Sequence, residues 1–225
     1  NSEIDNGATL ISVIPSMARR LLDNRAGRRF PDSFRGMIIG GDSCSENLIK
    51  DLMAYNIPIY KVYGMTESCS GICGFWVNKH PEMLNSVGRP FKGTKIKIDD
   101  SIINIEGPTI TPYNHYNKPT NGILKTSDIG YFKNRFLFID GRSDDIVISG
   151  GENISLSQIK HVLMNHPKIK NVHLSVDTDE LYGDQITAFV ELQDYTSVDN
   201  IFNFCREYIS ENKLPHHIEI VENIL

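Results

Sequence analysis

The stretch that most constrains this chain runs from Ile139 to Asn153: Ile139-Asp140-Gly141-Arg142-Ser143-Asp144-Asp145-Ile146-Val147-Ile148-Ser149-Gly150-Gly151-Glu152-Asn153. An arginine beside a glycine, followed by two aspartates, is too polar for a core strand. Gly150-Gly151 then frees the backbone to turn sharply or to let a ligand come close. The segments on either side differ in texture. Such a joint predicts two domains with a hinge between them, the hinge itself touching a ligand.

Ahead of the joint, Ala8 to Ile14 is an apolar, β-branched run halted by Pro15. It predicts a buried strand, with Ser16 capping a helix through Met17, Leu21 and Leu22. Arg25 to Arg35 is basic and predicts a surface loop. Met37-Ile38-Ile39 predicts a short strand ending in Gly40-Gly41-Asp42. Ser45 then caps a helix whose Leu48, Ile49, Leu52 and Met53 recur at helical spacing. Pro58 to Tyr63 predicts a third strand, delivering Gly64-Met65-Thr66-Glu67 at its C-terminal end. This is the pattern of an open α/β sheet, which binds ligands beyond the carboxyl ends of its strands. From about Ser86 the pattern shortens. Thr94 to Ile98 alternates strictly, and Ile102–Ile105, Gly122–Leu124 and Arg135–Ile139 follow. Residues 86–140 are therefore expected to form a small β-barrel or distorted sheet.

Beyond the joint, Ser155 and Ser157 offer caps to a helix bearing Ile159, Val162 and Leu163. Val172–Val176, Ile186–Leu192 and Ile218–Val221 read as strands, and Ser197 caps a helix carrying Ile201, Phe202, Cys205, Tyr208 and Ile209. That is enough for an independent small domain of two helices and three strands. The expected class is α/β, α+β overall. Residues 1–140 form part of a large domain, 141–145 the hinge, and 146–225 a small mobile domain.

Composition narrows the partners. With 225 residues, 40% hydrophobic and 23% charged, the chain reads as soluble and globular. A net charge of -5 argues against nucleic acid, because a phosphate backbone asks for a basic face. A single nucleotide stays open, as does homo-oligomerisation. No apolar run approaches the roughly 20 residues of a membrane span. Starting at Asn1 with no signal peptide, the chain reads as an excised or truncated piece of a cytoplasmic protein. Cys44, Cys69, Cys73 and Cys205 complete no zinc pattern and read as reduced thiols.

Three stretches read together go further: Tyr63-Gly64-Met65-Thr66-Glu67-Ser68, Thr126-Ser127-Asp128-Ile129-Gly130-Tyr131 and Gly141-Arg142-Ser143-Asp144. With Gly40-Gly41, Gly88-Arg89-Pro90 and Gly150-Gly151-Glu152-Asn153-Ile154 in order around them, the whole chain resembles the adenylate-forming superfamily. Its members include acyl-CoA synthetases, peptide-synthetase adenylation domains and luciferases. The resemblance implies a carboxylate activated by ATP to an acyl-adenylate, then passed to a thiol, with the small domain swinging between the two steps. ATP, Mg2+ and coenzyme A are the implied cofactor and co-substrates.

The same resemblance implies a role for each motif residue. Thr66 contacts a phosphate oxygen through its hydroxyl, and Glu67 is the hard oxygen ligand for Mg2+. These two are the catalytic pair. Tyr63 stacks on adenine; Gly40, Gly41, Gly64 and Met65 shape the nucleotide pocket; Asp128 accepts from the ribose hydroxyls. Arg142 contacts ribose or phosphate as a permanent donor fork, and Asp144 is the hinge pivot. Gly150, Gly151 and Glu152 line the tunnel for the coenzyme A thiol. Ser68, Cys69 and Ser70 face the acyl group, although core packing is as good a reading of Cys69 and Cys73. Taken singly, each residue has a plain structural reading: turns, a solvated helix start, a surface ion pair. His115, His166, His216 and His217 match no motif and read as surface or loop histidines.

Around Thr66–Ser70, Pro81-Glu82-Met83 and Ser86–Pro90 the chain is similar to o-succinylbenzoate–CoA ligases of menaquinone biosynthesis. The alternatives are a ligase for another fatty or aryl acid, or a nucleotide-binding module without catalysis. In the superfamily a Ser/Thr/Gly-rich loop ending in Pro-Lys holds the outer phosphates, and a lysine after a Gly-Lys segment stabilises the adenylation transition state. Neither motif occurs in these residues. A C-terminal fragment that does not adenylate alone is the expectation.

Overall fold

The computed structural model describes residues 1–113, 119–149, 151–179 and 183–224. The chain separates into two compact units, Asn1–Ile139 and Asp140–Leu225. His115, Gly150 and Leu225 lie outside the described residues.

The first unit begins with α1 (Ser2–Asp5), β1 (Leu10–Val13), α2 (Pro15–Arg25), β2 (Gly36–Ile39), α3 (Glu46–Ala54) and β3 (Ile59–Met65). After a 3-10 turn over Thr66–Ser68 come β4 (Ser70–Trp76) and β5 (Arg89–Pro90). These strands form one sheet in the order β1-β2-β3-β4-β5. The first three run parallel, and β4 turns back antiparallel on β3. Helices α2 and α3 bury Ala18, Leu22, Ile49 and Leu52 with Met37, Ile39 and Ile59 of the sheet. Ser45 caps α3 by accepting from the Leu48 amide. Pro15, not Ser16, starts α2, where its fixed φ suits the first helical position and Ile14 supplies no side-chain cap.

Two expectations are corrected here. Arg25 is not a loop residue: it closes α2 and is 2% exposed. Its guanidinium donates to Asn1, Asp5 and the Arg28 carbonyl, and lies 4.3 Å from the Phe30 ring centroid. Burial is tolerated because every face of the charge is answered. The barrel expected over 86–140 is an open sheet among the described residues. It holds β6 (Lys95–Asp99), β7 (Ile102–Glu106), β8 (Ile123–Lys133) and β9 (Phe136–Arg142) in that order. Closure would need β9 to pair with β6, and four strands are too few to curl that far. The single bridge Gly88–Leu137 ties β9 to the segment ahead of β5.

The second unit contains β10 (Ile146–Ser149), β11 (Glu152–Ser155), α4 (Leu156–Met164), β12 (Ile169–Asp179), β13 (Gly183–Leu192), α5 (Val198–Arg206) and β14 (His217–Val221). Its sheet runs β11-β10-β13-β12, with β14 parallel to β13. Ser155 and Ser197 cap the two helices. Ile159, Leu163, Ile186, Ala188, Ile201 and Cys205 form the core. His166, read as a surface or loop residue, does lie in the bend after α4, but it is 2% exposed and packs edge-on against Phe204. Its Nδ1 accepts from the Lys168 amide and its Nε2 faces Asn200, so both ring nitrogens are occupied.

Candidate functional site

In the first unit, the residues singled out by sequence converge around the C-terminal end of β3. Tyr63 sits on β3, and its hydroxyl donates to Oδ2 of Asp128 on β8, 65 positions away. Asp128 is 6% exposed. Its backbone amide donates to Oγ1 of Thr126 at 3.0 Å, and that hydroxyl donates to the Ile103 carbonyl at 2.9 Å. The phenol thus holds the carboxylate, while a threonine stapled to the neighbouring strand holds the backbone of the same residue. Thr126 was not singled out for a role; the Thr-x-Asp spacing within a strand was the available signal.

The chain turns at once beyond Tyr63. At Gly64 an added Cβ would strike the Ser70 carbonyl, so only glycine lets β3 and β4 lie this close. Thr66 and Glu67 follow on the 3-10 turn, both exposed. The Glu67 carbonyl accepts from Thr111 at 2.8 Å, which holds the turn while its side chains face outward. Ser68 is 1% exposed. Its hydroxyl accepts from the Met65 amide at 3.0 Å and lies 2.7 Å from the Ser70 carbonyl, so it shapes the loop instead of lining a pocket. Cys69 is exposed and left-handed at φ 58. A non-glycine residue there stores about 1 kcal/mol of strain. Ser70 is exposed beside it.

Gly40 and Gly41 follow β2, the parallel neighbour of β3. A Cβ at Gly40 would stand 2.8 Å from the Val62 carbonyl, so a side chain here would force the strand ends apart. Asp42 is exposed, with its carboxylate taken by the Ser43 amide at 2.7 Å. This unit therefore presents, at one set of strand ends, a fixed carboxylate, a tyrosine, an outward Thr-Glu pair and close backbone approach. That donor and acceptor set suits a nucleoside with phosphates. Glu67 is an exposed carboxylate of the chemistry a hard divalent cation needs.

Of the four cysteines, Cys44, Cys73 and Cys205 are held unreactive. Burial pushes the Cys73 thiol up to about 12 and those of Cys44 and Cys205 to about 11, so all three stay protonated.

In the second unit, Arg142 donates from Nε to Oδ1 and from Nη2 to Oδ2 of Asp144, at 2.8 and 2.6 Å. Both side chains are half exposed, at 51% each. The Asp145 carbonyl accepts from the Leu156 amide at 3.0 Å, tying this segment to the start of α4. Gly151 and Glu152 are exposed at the head of the β10–β11 hairpin, where a Cβ on Gly151 would meet open space.

A family profile described as AMP-binding enzyme matches residues 4–103. The 2-succinylbenzoate–CoA ligase of Bacillus cereus (strain Q1) is 30% identical over 97% of this chain and 49% of its own length. The o-succinylbenzoate CoA synthetase of Bacillus subtilis in complex with its acyl-adenylate intermediate aligns at 28% identity. That structure has a TM-score of 0.81, with 100% of this chain and 50% of that one covered. The same enzyme has been solved with ATP and magnesium, again at 28% identity, TM-score 0.81 and the same coverage. A double mutant of it binds a product analogue, OSB-NCoA, at 29% identity and TM-score 0.59, covering 100% of this chain and 49% of that one. The chain spans about half the length of the relatives it matches. No helix among the described residues is long and apolar enough to cross a membrane.

Proposed function

We propose that this chain, which belongs to the AMP-binding, adenylate-forming superfamily, carries the nucleoside-recognising part of an ATP-dependent o-succinylbenzoate–CoA ligase. The observation that carries this reading is the Tyr63–Asp128 contact beside the outward Thr66-Glu67 turn. A buried carboxylate already aligned by a phenol is a preorganised acceptor for the two ribose hydroxyls, with little reorganisation left for binding.

In this reading Tyr63 lies along the adenine and Gly40 and Gly41 give its edge backbone partners. Asp128 accepts from the ribose, Thr66 donates to the α-phosphate, and Glu67 would hold Mg2+. When bound, the cation draws charge from the phosphate oxygens. Cys69 and Ser70 face the acyl group, while Ser68 keeps their loop in shape. Asp144 is the pivot, and Arg142 offers a donor fork to the nucleotide. Gly150, Gly151 and Glu152 line the approach of coenzyme A.

Adenylation is proposed to need the phosphate loop and lysine that these residues do not include, so the chain alone binds the adenylate without making it. Titration calorimetry with AMP and with sulfamoyl-adenosine analogues of o-succinylbenzoate, of benzoate and of a fatty acid tests this. The o-succinylbenzoyl compound should bind most tightly, and Asp128→Asn should weaken all of them. Equal affinity for the three acyl groups would sink the substrate assignment. Absence of binding to any would sink the nucleotide site.

A further inference from the structure

Glu67 stands in the middle of a turn of three residues, Thr66–Ser68. So short a piece has little stability of its own, because the first turn of a helix fixes several dihedrals for one hydrogen bond. From within the loop, the Cys69 amide donates to the Thr66 carbonyl at 3.0 Å, and the Ser68 hydroxyl accepts from the Met65 amide at 3.0 Å. Cys69 itself is left-handed at φ 58, which strains the loop further. A contact from another part of the chain reaches the turn from the segment after β7. There the Thr111 amide donates to the Glu67 carbonyl at 2.8 Å.

That donor is braced. Ile110 beside it is 6% exposed and packs in one core cluster with Ile72 and Cys73 of β4 and with Ile103 and Ile105 of β7. Its amide turns back to the Gly107 carbonyl at 3.3 Å, and the Thr120 hydroxyl donates to the Thr111 carbonyl. The Thr111 side chain points its hydroxyl elsewhere, to the Tyr113 carbonyl at 3.1 Å. A link made by the backbone therefore runs from β4, the strand that leaves the turn, through Ile110 and Thr111 to Glu67 itself.

We propose that Thr111 is a positioning residue for the divalent cation. Acting through the Glu67 carbonyl, its amide fixes the turn and so keeps the Glu67 carboxylate preorganised as a metal ligand. Ile110 and Thr120 hold Thr111 in place for that task. This rests on the reading of Glu67 as the ligand for Mg2+. The proposal goes beyond it by assigning the ligand's support to residues outside every recognised motif.

The test uses the 225-residue chain as wild type, Thr111→Ala, Thr111→Pro, Thr120→Val and Glu67→Gln, with Thr111→Pro and Thr120→Val also made in the Glu67→Gln background. Proline removes the amide that Thr111 donates, alanine keeps it, and valine keeps the shape of Thr120 without its hydroxyl. Mn2+, standing in for Mg2+, is titrated in the presence of ATP, and the chain-bound ion is read from its EPR signal. AMP binding is measured without metal by calorimetry. Thr111→Pro should weaken Mn2+ binding about tenfold and Thr120→Val about threefold, with Thr111→Ala near wild type and AMP affinity within about twofold throughout. In the Glu67→Gln background neither change should cost anything more.

Mn2+ binding unchanged in both Thr111→Pro and Thr120→Val overturns the proposal. So does an equal loss of AMP affinity, which a scaffolding role alone would give, and so does a further loss on top of Glu67→Gln. Should Thr111→Pro fail to fold by circular dichroism, Thr120→Val decides by the same measures. If the wild-type chain holds no Mn2+ beside ATP, or Glu67→Gln holds it as well as wild type, the metal reading of Glu67 fails and takes this proposal with it. Metal binding that depends on Glu67 but on neither Thr111 nor Thr120 removes the proposal alone.

Discussion

Asp128 and Asp144 are carboxylates in two regions that the sequence marks equally strongly, and the fold treats them differently. Asp128 is 6% exposed, aligned by Tyr63 and anchored beneath by Thr126. Asp144 is paired with Arg142 in good two-pronged geometry, but each partner is 51% exposed. Out of water, a charge-assisted hydrogen bond contributes about 1.5–3 kcal/mol; in water a pair of this geometry contributes about 0–1 kcal/mol. Good geometry is not strength. The first unit holds Asp128 firmly and the second holds Asp144 loosely, which under the proposed function suits a part that changes partners.

Substitutions at five positions test that contrast. The largest effect is expected at Gly64, where Gly64→Ala drives a methyl into the Ser70 backbone. A loss of about 2–4 kcal/mol in the first unit's denaturant stability follows; a loss below 0.5 kcal/mol would mean that the β3–β4 crossing is pliant. Next comes Asp128→Asn, which keeps the shape and removes the charge. Nucleotide affinity should fall about 10- to 100-fold by calorimetry while the fold persists by circular dichroism.

A third effect lies in the core of the second unit. Burial holds the His166 imidazole below its ordinary value, against an upward pull from the Asn200 hydrogen bond and with a smaller downward push from Lys168. The folded state therefore favours the neutral ring. Its contribution to stability is full above the ordinary imidazole range and is lost as pH falls through that range towards the lowered folded value. The melting temperature should drop on acidification, and His166→Gln should flatten the slope. An unchanged slope would remove His166 from the account.

Smaller still, Cys69→Gly should relieve the left-handed strain and raise stability by about 1 kcal/mol in thermal melts. Arg142→Ala should alter stability by less than about 1 kcal/mol, at low or high salt. A larger loss there would erase the contrast between the regions.

Much of this architecture could be read from the residues because local signals agreed. Ser45, Ser155 and Ser197 precede apolar residues at helical spacing, and each accepts the amide bond expected of a cap. The parallel strands β1 to β3 read clearly as short β-branched runs between glycine and proline, although β1, expected to be buried, lies at the sheet edge with Leu10 47% exposed. Strand β4 did not, because Gly71 and Gly74 interrupt it; both are required where Val62 and Tyr60 press against the strand. Strands β10 and β11 were hidden in the joint, since a hairpin at a sheet edge needs little hydrophobic pattern. Arg25 and His166 misled for one reason: their burial depends on partners elsewhere in the chain, Asp5 for one and Asn200 and Phe204 for the other. At the site, residue types were legible and their mutual arrangement was not. No spacing rule brings Tyr63 and Asp128 into contact across 65 positions.

Under the proposed function, the strand ends around Tyr63 and Asp128 recognise a nucleoside. The most direct measurement is calorimetric titration of the 225-residue chain with the o-succinylbenzoyl sulfamoyl-adenosine analogue, wild type beside Asp128→Asn and Arg142→Ala. Saturable binding is expected, weakened about 10- to 100-fold by Asp128→Asn and less by Arg142→Ala. Binding that Asp128→Asn leaves untouched would contradict it.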